Sequence, residues 1–515
     1  MTENVQQDTA GDRPGPFQRA MILATATLAT MLVSMTLMIA SVIMPQLQGA
    51  MSATQDQVAW VITFNIIAIA VVTPMTGWLA NRFGRRNVMI YSSLGFVVFT
   101  ILCGTADSLE VLVLYRMLQG AFGGPLNPLS NAIILDAYPR EQHGVVNSIY
   151  GVGVVIGPML GPIIGGYVAE AYNWRWAFAF VGFAGVLAVI GAWVFIHDRR
   201  REAQLSLDWT GFITLSIAIV CFQLVLDRGE REDWFDSMEI ILESGIFVAA
   251  LYVFVVHILT ARRPFLNPHL LRDRNYAIGL LVVAIFGMMN FTPMALLPPL
   301  LQNLAGYPDD AIGVILGSRG FGGIAGFFAS IWVGRLDPRI GMTAGFLIQA
   351  LSGWWMMAFN INLTAADVII TSIMQGFAVG LIWVPLVVAS FATLGRQHLN
   401  EATAVFHLLR YMAASAFVSV SVAIVLHSGK VNYARMTEFV SRFNEALTNP
   451  AWIGHWSLDN ASGLAALSGE VGRQAFMIGY INAFAAYTIL SIAILPLVFF
   501  VRVPKRPADG SGKER

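Results

Sequence analysis

Three arginines lie inside long apolar stretches of the sequence, and their side chains have the clearest potential for chemistry. They are Arg116, Arg319 and Arg410. A guanidinium group is always charged and donates hydrogen bonds in a planar fork that suits carboxylates and other acceptors. A charge in an apolar helix is costly, so each arginine should face the protein interior and find a partner there. For Arg116, snorkelling of the side chain to the end of its helix is the alternative interpretation.

Proton chemistry has few candidates in these stretches. His407 lies one helical turn before Arg410 and is the only titratable group that we place deep in the second part of the chain. An imidazole titrates near neutral pH, at about 6.5, so His407 could carry a proton, or it could be a neutral packing residue. We place no acid near the middle of an apolar stretch. The acids near them fall at their ends: Asp136, Glu170, Asp208, Glu239, Glu243, Asp367 and Glu401.

The composition indicates which elements must position these residues. Hydrophobic residues make up 56% of the 515 residues and charged residues only 12%, whereas soluble domains have about a quarter charged residues. The excess apolar surface must therefore face lipid, and only helices or closed barrels satisfy the backbone there. The runs are too long and too continuously apolar for barrel strands. We predict an all-α membrane protein with fourteen spans: 20–44, 58–80, 87–105, 109–135, 144–169, 175–196, 208–226, 238–260, 275–301, 311–334, 340–360, 364–393, 401–427 and 477–501.

The distribution of basic residues predicts the orientation of these spans. With residues 1–18 placed in the cytoplasm, the inner segments hold 21 of the 31 Lys and Arg residues and the outer segments hold seven. Such residues accumulate on the cytoplasmic side of membrane proteins. We therefore expect both ends of the sequence to be cytoplasmic.

The sequence also repeats itself. Gly77, Leu79, Arg82 and Gly84 recur with a constant shift of 257 residues, and Gln119-Gly120 recurs as Gln375-Gly376 with a shift of 256. This pattern predicts two parallel six-helix halves around a central cavity, which is typical of transporters, although a duplication without transport is the alternative. The predicted regions are a tail (1–18), a first half (19–197), an inserted helix pair (198–263), a second half (264–502) with an outer loop (428–476), and a second tail (503–515).

Two motifs have spacings that suggest moving parts. The first motif lies in the loop between the second and third spans and contains Gly77, Asn81, Arg82, Gly84, Arg85 and Arg86. Its glycines would allow a close approach and tight turn of two helix ends, and its arginines would bind helix carbonyls and lipid head groups. We interpret it as a gating motif, with a simple topology determinant as the alternative.

The fifth span has glycine at every fourth position. Its stripe comprises Gly153, Gly157, Gly161 and Gly165, with Gly166 beside it and Pro158 and Pro162 between. Such a stripe lets another helix pack backbone to backbone, and the prolines favour bending. Close packing alone and packing that also permits rocking between the halves are both consistent with this pattern.

These stretches, and the segment 226–241 after the seventh span, resemble the EmrB/QacA-type drug:proton antiporters of the major facilitator superfamily. The resemblance implies the fold of that superfamily, drug efflux from the inner membrane in exchange for protons, and a periplasmic adaptor and outer-membrane channel as partners. The family usually has aspartates where this chain has Thr36 and Asn81. Neither of these side chains can carry a proton at physiological pH.

The charge pattern suggests the cargo. Three arginines without a central acid would favour a hydrophobic cargo that is neutral or a weak acid. We place Arg116, Gln119, Arg319, His407, Arg410 and Thr36 in transport and coupling, and Asn290, Gln375 and Trp383 in the wall of the substrate cavity.

Other functions fit the sequence less well. No metalloprotease motif, Ser/His/Asp set or phosphate-binding loop lies in the spans, so we expect neither an enzyme nor a metal or cofactor site, and no nucleic-acid partner. Cys103 and Cys221 should be packed free thiols. A uniport or uptake carrier without proton coupling and, further off, a membrane sensor remain the alternatives. The outer loop 428–476, with Trp452 and Trp456, would dock the adaptor or lie at the membrane interface.

Overall fold

The computed structural model describes residues 14–139, 142–197, 208–261, 266, 268–333, 337–394, 399–447 and 456–501. Within these ranges the regular structure is entirely helical. The N-terminal part contains nine helices, which we call the first group: α1 (Pro16–Val42), α2 (Met44–Met51), α3 (Gln55–Val72), α4 (Thr76–Phe83), α5 (Arg85–Cys103), α6 (Leu109–Gly123), α7 (Leu126–Ala137), α8 (His143–Ala171) and α9 (Trp174–Phe195).

Two helices follow, α10 (Trp209–Arg228) and α11 (Met238–Thr260), which pack against each other. The remaining helices form what we call the second group: α12 (Arg274–Pro299), α13 (Asp309–Val333), α14 (Pro338–Met356), α15 (Ala365–Phe391), α16 (Leu399–Thr437), α17 (Ala461–Ala493) and α18 (Leu495–Phe499). A π-helical turn, Leu300–Leu304, extends α12. The predicted boundaries between the regions, 197/198 and 263/264, stay predictions, and the tails 1–13 and 502–515 lie outside the described residues.

Polar residues at helix starts explain where several helices begin. Asp208 Oδ1 accepts a hydrogen bond from the backbone N–H of Gly211 (3.0 Å) at the start of α10, and Asp273 does the same for Tyr276 (2.9 Å) in α12. Such caps satisfy N–H groups that the first helical turn leaves unpaired. Proline and glycine mark the breaks. Pro74 lies in the 3₁₀ turn between α3 and α4, and Pro125 separates α6 from α7.

The expected number of fourteen spans is not confirmed. Twelve helical segments of the described chain are long and apolar enough to cross a membrane. The predicted fourth span, 109–135, is divided into the shorter helices α6 and α7. The predicted eleventh span corresponds to α14, which is as long as α5 but less apolar than the twelve segments. Both regions are helical as expected, but their length and apolarity alone do not qualify them.

The predicted outer loop 428–476 is partly helical, and its boundaries stay a prediction. Helix α16 continues to Thr437 and α17 begins at Ala461, so helix occupies both ends of the expected loop. The 39 residues of α16 correspond to about 58 Å at 1.5 Å per residue, which is far more than a bilayer core requires. The two helices pack on each other, and Tyr433 Oη and Ser468 Oγ are 2.8 Å apart near their ends. Trp452 lies outside the described residues.

The two groups meet along two pairs of helices. Helix α8 packs against α13, and α3 packs against α16, while α10 touches both α3 and α16. We call the end of the bundle where α1 begins the tail end, and the end where α1 gives way to α2 the loop end. These contacts leave a space between the groups.

Candidate functional site

A cavity of about 680 Å³ lies between the two groups. Helices α1, α4, α7 and α8 line one side of it, and α12, α13, α15 and α16 line the other. The lining residues reach the tail end of the bundle at Asn81 and Arg85, whereas towards the loop end they stop at about the level of Pro158, Met294 and Arg319. The cavity therefore reaches the tail end and stops short of the loop end.

Three hydrogen bonds hold the Arg319 side chain in this cavity. Its Nη1 donates to Gln375 Oε1 (3.0 Å), and its Nη2 donates to the backbone oxygen and to Oδ1 of Asn290 (both 2.9 Å). The three side chains come from α13, α15 and α12, so the contact joins three helices. Asn290 lines the main cavity, while Gln375 lines a small adjoining cavity of about 20 Å³. Three residues that the sequence placed at the site are thus in direct contact.

Arg410 forms a second charged centre on α16. Its Cζ lies 4.9 Å from the ring centre of Trp383 and 4.5 Å from that of Tyr411. His407 is buried beside Trp383, with ring centres 6.0 Å apart. All four side chains line the cavity. A guanidinium between aromatic faces is attracted by the rings and keeps its hydrogen-bond donors available, and Arg410 Nε has no hydrogen-bond partner among the described residues.

The charges on the cavity wall have one sign. Arg85, Arg319 and Arg410 line it, and none of its described lining residues is Asp or Glu. Most of the wall is apolar or aromatic and includes Met38 and Met294. Flexible thioether side chains adapt to irregular apolar molecules. The cavity is therefore suited to a hydrophobic molecule that is neutral or anionic.

At the loop end, one carboxyl group ties the two groups together. Asp309 at the start of α13 is 4% exposed. Its Oδ2 accepts a hydrogen bond from Gln46 Nε2 (2.8 Å), and its Oδ1 accepts one from Gln302 Nε2 (2.7 Å). Gln46 belongs to α2 of the first group and Gln302 to the π turn of the second. These contacts hold the loop end closed.

The glycine stripe of α8 packs as the sequence indicates. A Cβ atom at Gly157 would lie 2.4 Å from the backbone oxygen of Met31, and one at Gly161 would lie 2.9 Å from that of Met35, both on α1. Gly165 meets Ile39 of the same helix, and Gly166 faces the backbone of Asp309 on α13. The predicted close helix packing is confirmed, with α1 as the main partner. Pro158 and Pro162 both lie inside α8.

The gating motif forms the turn between α4 and α5. Gly84 has φ +88°, a conformation that favours glycine. Arg85 pairs with Asp136 of α7, and Arg86 Nη2 donates to the backbone oxygen of Trp193 (2.8 Å). The proposed close approach at Gly77 is wrong, because a Cβ atom there would meet nothing within 4 Å.

In this arrangement Arg85 and Arg86 bind within the first group. Asn81 lines the mouth of the cavity, and Arg82 also makes contacts. Of the second copy of the motif, Gly334 and Leu336 lie outside the described residues.

Arg116 lies away from the cavity. It is fully buried, and its Nε donates to the backbone oxygen of Val61 (3.1 Å) on α3. It also bonds Gln119, whose Nε2 donates to Thr100 Oγ1 (2.6 Å). Neither Arg116 nor Gln119 lines the cavity, and the same holds for Thr36, whose hydroxyl bonds the backbone oxygen of Val33 (2.8 Å). Arg116 thus faces the interior, as expected, and joins α6 to α3.

The sequence does not single out two acidic residues, Asp309 and Asp227. Asp309 lies just before the predicted tenth span, and Asp227 lies just after the predicted seventh, which was ended at Leu226. In the structure, both residues belong to helices, Asp309 to α13 and Asp227 to α10. No local pattern of the sequence marks Asp309, because its hydrogen bonds come from glutamines of two other segments.

Comparison with known proteins agrees with this architecture. Residues 26–424 match the model of the Major Facilitator Superfamily. The chain is 30% identical to the multidrug export protein EmrB of Haemophilus influenzae over 494 residues, covering 94% of this chain and 96% of that relative. It is also 30% identical to the fatty acid resistance protein FarB of Neisseria gonorrhoeae, covering 92% and 94%.

Solved structures share the fold at much lower identity. A POT family peptide transporter superimposes with a TM-score of 0.63 at 14% identity, covering 96% of this chain and 99% of that one. The xylose transporter XylE of E. coli, in a partially occluded inward-open conformation, gives a TM-score of 0.59 at 13% identity, covering 94% and 97%.

Proposed function

Because the chain belongs to the major facilitator superfamily, as a multidrug transporter of the EmrB type, we propose that it exports hydrophobic compounds that are neutral or weak acids. It is a multi-pass protein of the inner membrane and a transporter rather than an enzyme.

The charge of the cavity wall carries the proposal for the cargo. A lipophilic anion in the cavity would find the guanidinium groups of Arg319 and Arg410, while a cation would find no described carboxylate on the wall. Trp383, Tyr411 and the methionines supply apolar surface for the rest of the molecule. The similarity to a fatty acid resistance protein supports the same class of cargo.

The proposed topology has fourteen spans, with six in each half and the pair α10–α11 inserted between them. Both ends of the chain would lie in the cytoplasm, which the inner excess of Lys and Arg supports. The tail end of the bundle would then be cytoplasmic, and the structure would represent the state that takes up cargo from inside. The turn between α4 and α5 would act as a gate at the mouth of the cavity, and the α1–α8 contact would permit rocking of the halves.

Exchange for protons is the proposed source of energy. Thr36 and Asn81 replace the usual aspartates of the family, so coupling must use other groups, among which His407 lies in the cavity wall. The same replacement favours a second candidate, a uniporter on this fold.

Purified protein in liposomes distinguishes these two functions. A pH gradient with the acidic side inside should drive uptake of a lipophilic weak acid in exchange for protons, whereas in protein-free liposomes the acid distributes passively towards the alkaline side. Flux that is indifferent to the pH gradient, with protonophore and valinomycin controls, would favour the uniporter.

Membership of a tripartite pump is the last element of the proposal. Helices α16 and α17 continue together beyond the length that a membrane needs, and Phe439 and Phe443 near their tips are exposed. This extension would offer a periplasmic adaptor, and through it an outer-membrane channel, a place to dock. Co-purification of an adaptor with the wild-type chain, and its loss when Phe439 and Phe443 are both changed to serine, would support the assignment. Undiminished co-purification with the double variant would contradict it.

A further inference from the structure

Asp227 lies where the inserted helix α10 packs against both groups of helices. It lies near the end of α10, the helix that packs against α3 of the first group and α16 of the second. The sequence places it just after the apolar run that ends at Leu226.

The carboxyl group of Asp227 is enclosed by neutral hydrogen-bonding groups. The hydroxyl of Ser419 on α16 donates to Oδ1, and Gln223 Nε2 donates to the same atom (3.0 Å) and to Ser419 Oγ (2.7 Å). The side chain of Thr63 on α3 also interacts with this carboxyl group. Gln223, Ser419 and Thr63 are 2%, 6% and 5% exposed. Oδ2 is buried and has no hydrogen-bond partner among the described residues.

No described cation pairs with Asp227, although several charged groups lie on the helices around it. Arg228 is engaged by Glu232 and Glu239, and Glu230 pairs with His427 and Lys430. The remaining acid on the facing helix is Glu243 of α11, and residues 57–72 of α3, which include Thr63, contain no charged residue. An ionised carboxylate that is buried without a cation is costly, and uptake of a proton removes that cost.

Polar side chains on α16 lie between this carboxyl group and the cavity. Ser419, Ser415 and Tyr411 follow one another at four-residue spacing along α16, and Tyr411 lines the cavity. Residues with this spacing have Cβ atoms about 6 Å apart on one helix face. One water molecule can therefore bridge the short side chains of Ser419 and Ser415, and Tyr411 lies one turn further along the same face. Ser415 Oγ is buried without a hydrogen-bond partner among the described residues, so it is free to take part.

We propose that Asp227 binds the proton that is exchanged for cargo, and that Ser419, Ser415 and Tyr411 connect it to the cavity. The carboxylate takes up a proton from water on the periplasmic side and becomes a carboxylic acid. It then releases the proton along α16 to water in the cavity when this is open to the cytoplasm. Since α10 touches both halves, their relative movement can change the surroundings of the carboxyl group and thereby its proton affinity. This inference rests on the proposed proton-coupled export.

Asp227→Asn is the direct test, because an asparagine can still accept the bonds of Ser419 and Gln223 but cannot carry a proton. The matched control is Asp208→Asn, which changes an acid at the other end of α10 that is paired with His257. Each variant is reconstituted in liposomes, and two rates are measured with a fluorescent lipophilic weak acid. The first is uptake driven by a pH gradient, and the second is exchange of cargo for cargo without a gradient.

We expect Asp227→Asn to reduce the rate of gradient-driven uptake at least tenfold and to leave the rate of cargo exchange unchanged. Asp208→Asn should leave both rates unchanged. Full gradient-driven uptake by Asp227→Asn would overturn the inference and leave proton coupling intact. Absence of gradient-driven uptake by the wild type would overturn the proposed coupling itself.

Ser415→Ala provides a second test, which also serves if Asp227→Asn fails to fold. We expect it to slow gradient-driven uptake several-fold with exchange unchanged, and no change in gradient-driven uptake would contradict the proposed path.

Discussion

The side-chain amide of Gln46 donates a hydrogen bond to Asp309 Oδ2 (2.8 Å), across the seam between the two groups of helices. Gln302, which lies 256 residues after Gln46, donates to the other oxygen of the same carboxyl group (2.7 Å). One glutamine from each group thus binds a single acid at the closed end of the cavity. A carboxylate can accept both bonds at once, whereas an amide offers only one acceptor oxygen.

Asp309→Asn should therefore weaken the closed loop end. Its Nδ2 would face the N–H donors of a glutamine, and a buried donor without an acceptor costs about 1–3 kcal/mol. Spin labels at the exposed positions Ala50 and Asn303 would report the distance across the seam by pulsed electron paramagnetic resonance. We expect a longer or broader distance distribution in Asp309→Asn. The control Asp310→Asn, at an exposed neighbour, should match the wild type. Identical distributions in both variants would contradict the role of Asp309.

Gly157→Ala should destabilise the protein, because its Cβ atom would lie 2.4 Å from the backbone oxygen of Met31. Overpacking of this kind costs about 1–3 kcal/mol. Thermal unfolding in detergent, followed by size-exclusion chromatography, would measure the loss. Gly77→Ala is the control, since nothing lies within 4 Å of a Cβ atom there. Equal melting temperatures for the two variants would be inconsistent with backbone contact between α1 and α8.

Arg319→Gln should impair export of weak acids selectively. The substitution removes a charged donor, and hydrogen bonds of charged groups contribute about 1.5–3 kcal/mol, or roughly 10- to 100-fold in affinity. Transport kinetics in liposomes should show a KM for a lipophilic acid raised by about this factor, with little change for its neutral amide. Arg319→Lys, which keeps the charge, should lie between the two. An equal loss for acid and amide would indicate that Arg319 only positions Asn290 and Gln375.

Arg116→Lys should reduce stability without altering selectivity. A lysine cannot bond Val61 and Gln119 at the same time in the geometry of the guanidinium, so α3 and α6 would lose a buried contact. We expect a lower melting temperature and an unchanged ratio of acid to amide transport. The control is Arg175→Lys, at a partly exposed arginine of α9, with a smaller effect on melting. A changed transport ratio in Arg116→Lys would instead place Arg116 in the transport pathway.

The sequence predicted those features that depend on local pattern. Long apolar runs predicted the helices, and four-residue spacing predicted the close packing of the glycine stripe of α8. The cost of a charge in lipid predicted that Arg319 and Arg410 face the protein interior. The direct contact of Arg319 with Asn290 and Gln375 joins residues that the sequence had placed at the site for separate reasons.

Features that depend on tertiary packing were missed. Leu226 ends the apolar run, but α10 continues to Arg228. The buried partner of Asp227 lies on another helix, which the sequence alone does not indicate. Likewise, α16 and α17 extend past the apolar residues and pack on each other. Arg116 and Arg319 looked equivalent in the sequence, yet Arg116 lies inside one group of helices and only Arg319 reaches the cavity.

The account depends most on the preference of the cavity for neutral or anionic cargo. Its most direct test is equilibrium binding to the purified protein of three ligands with the same alkyl chain, ending in a carboxylate, an amide or an amine. We predict that the carboxylate and the amide bind and that the amine binds at least tenfold more weakly, with the advantage of the carboxylate lost in a variant carrying both Arg319→Gln and Arg410→Gln. Binding of the amine as tightly as the carboxylate would contradict the account.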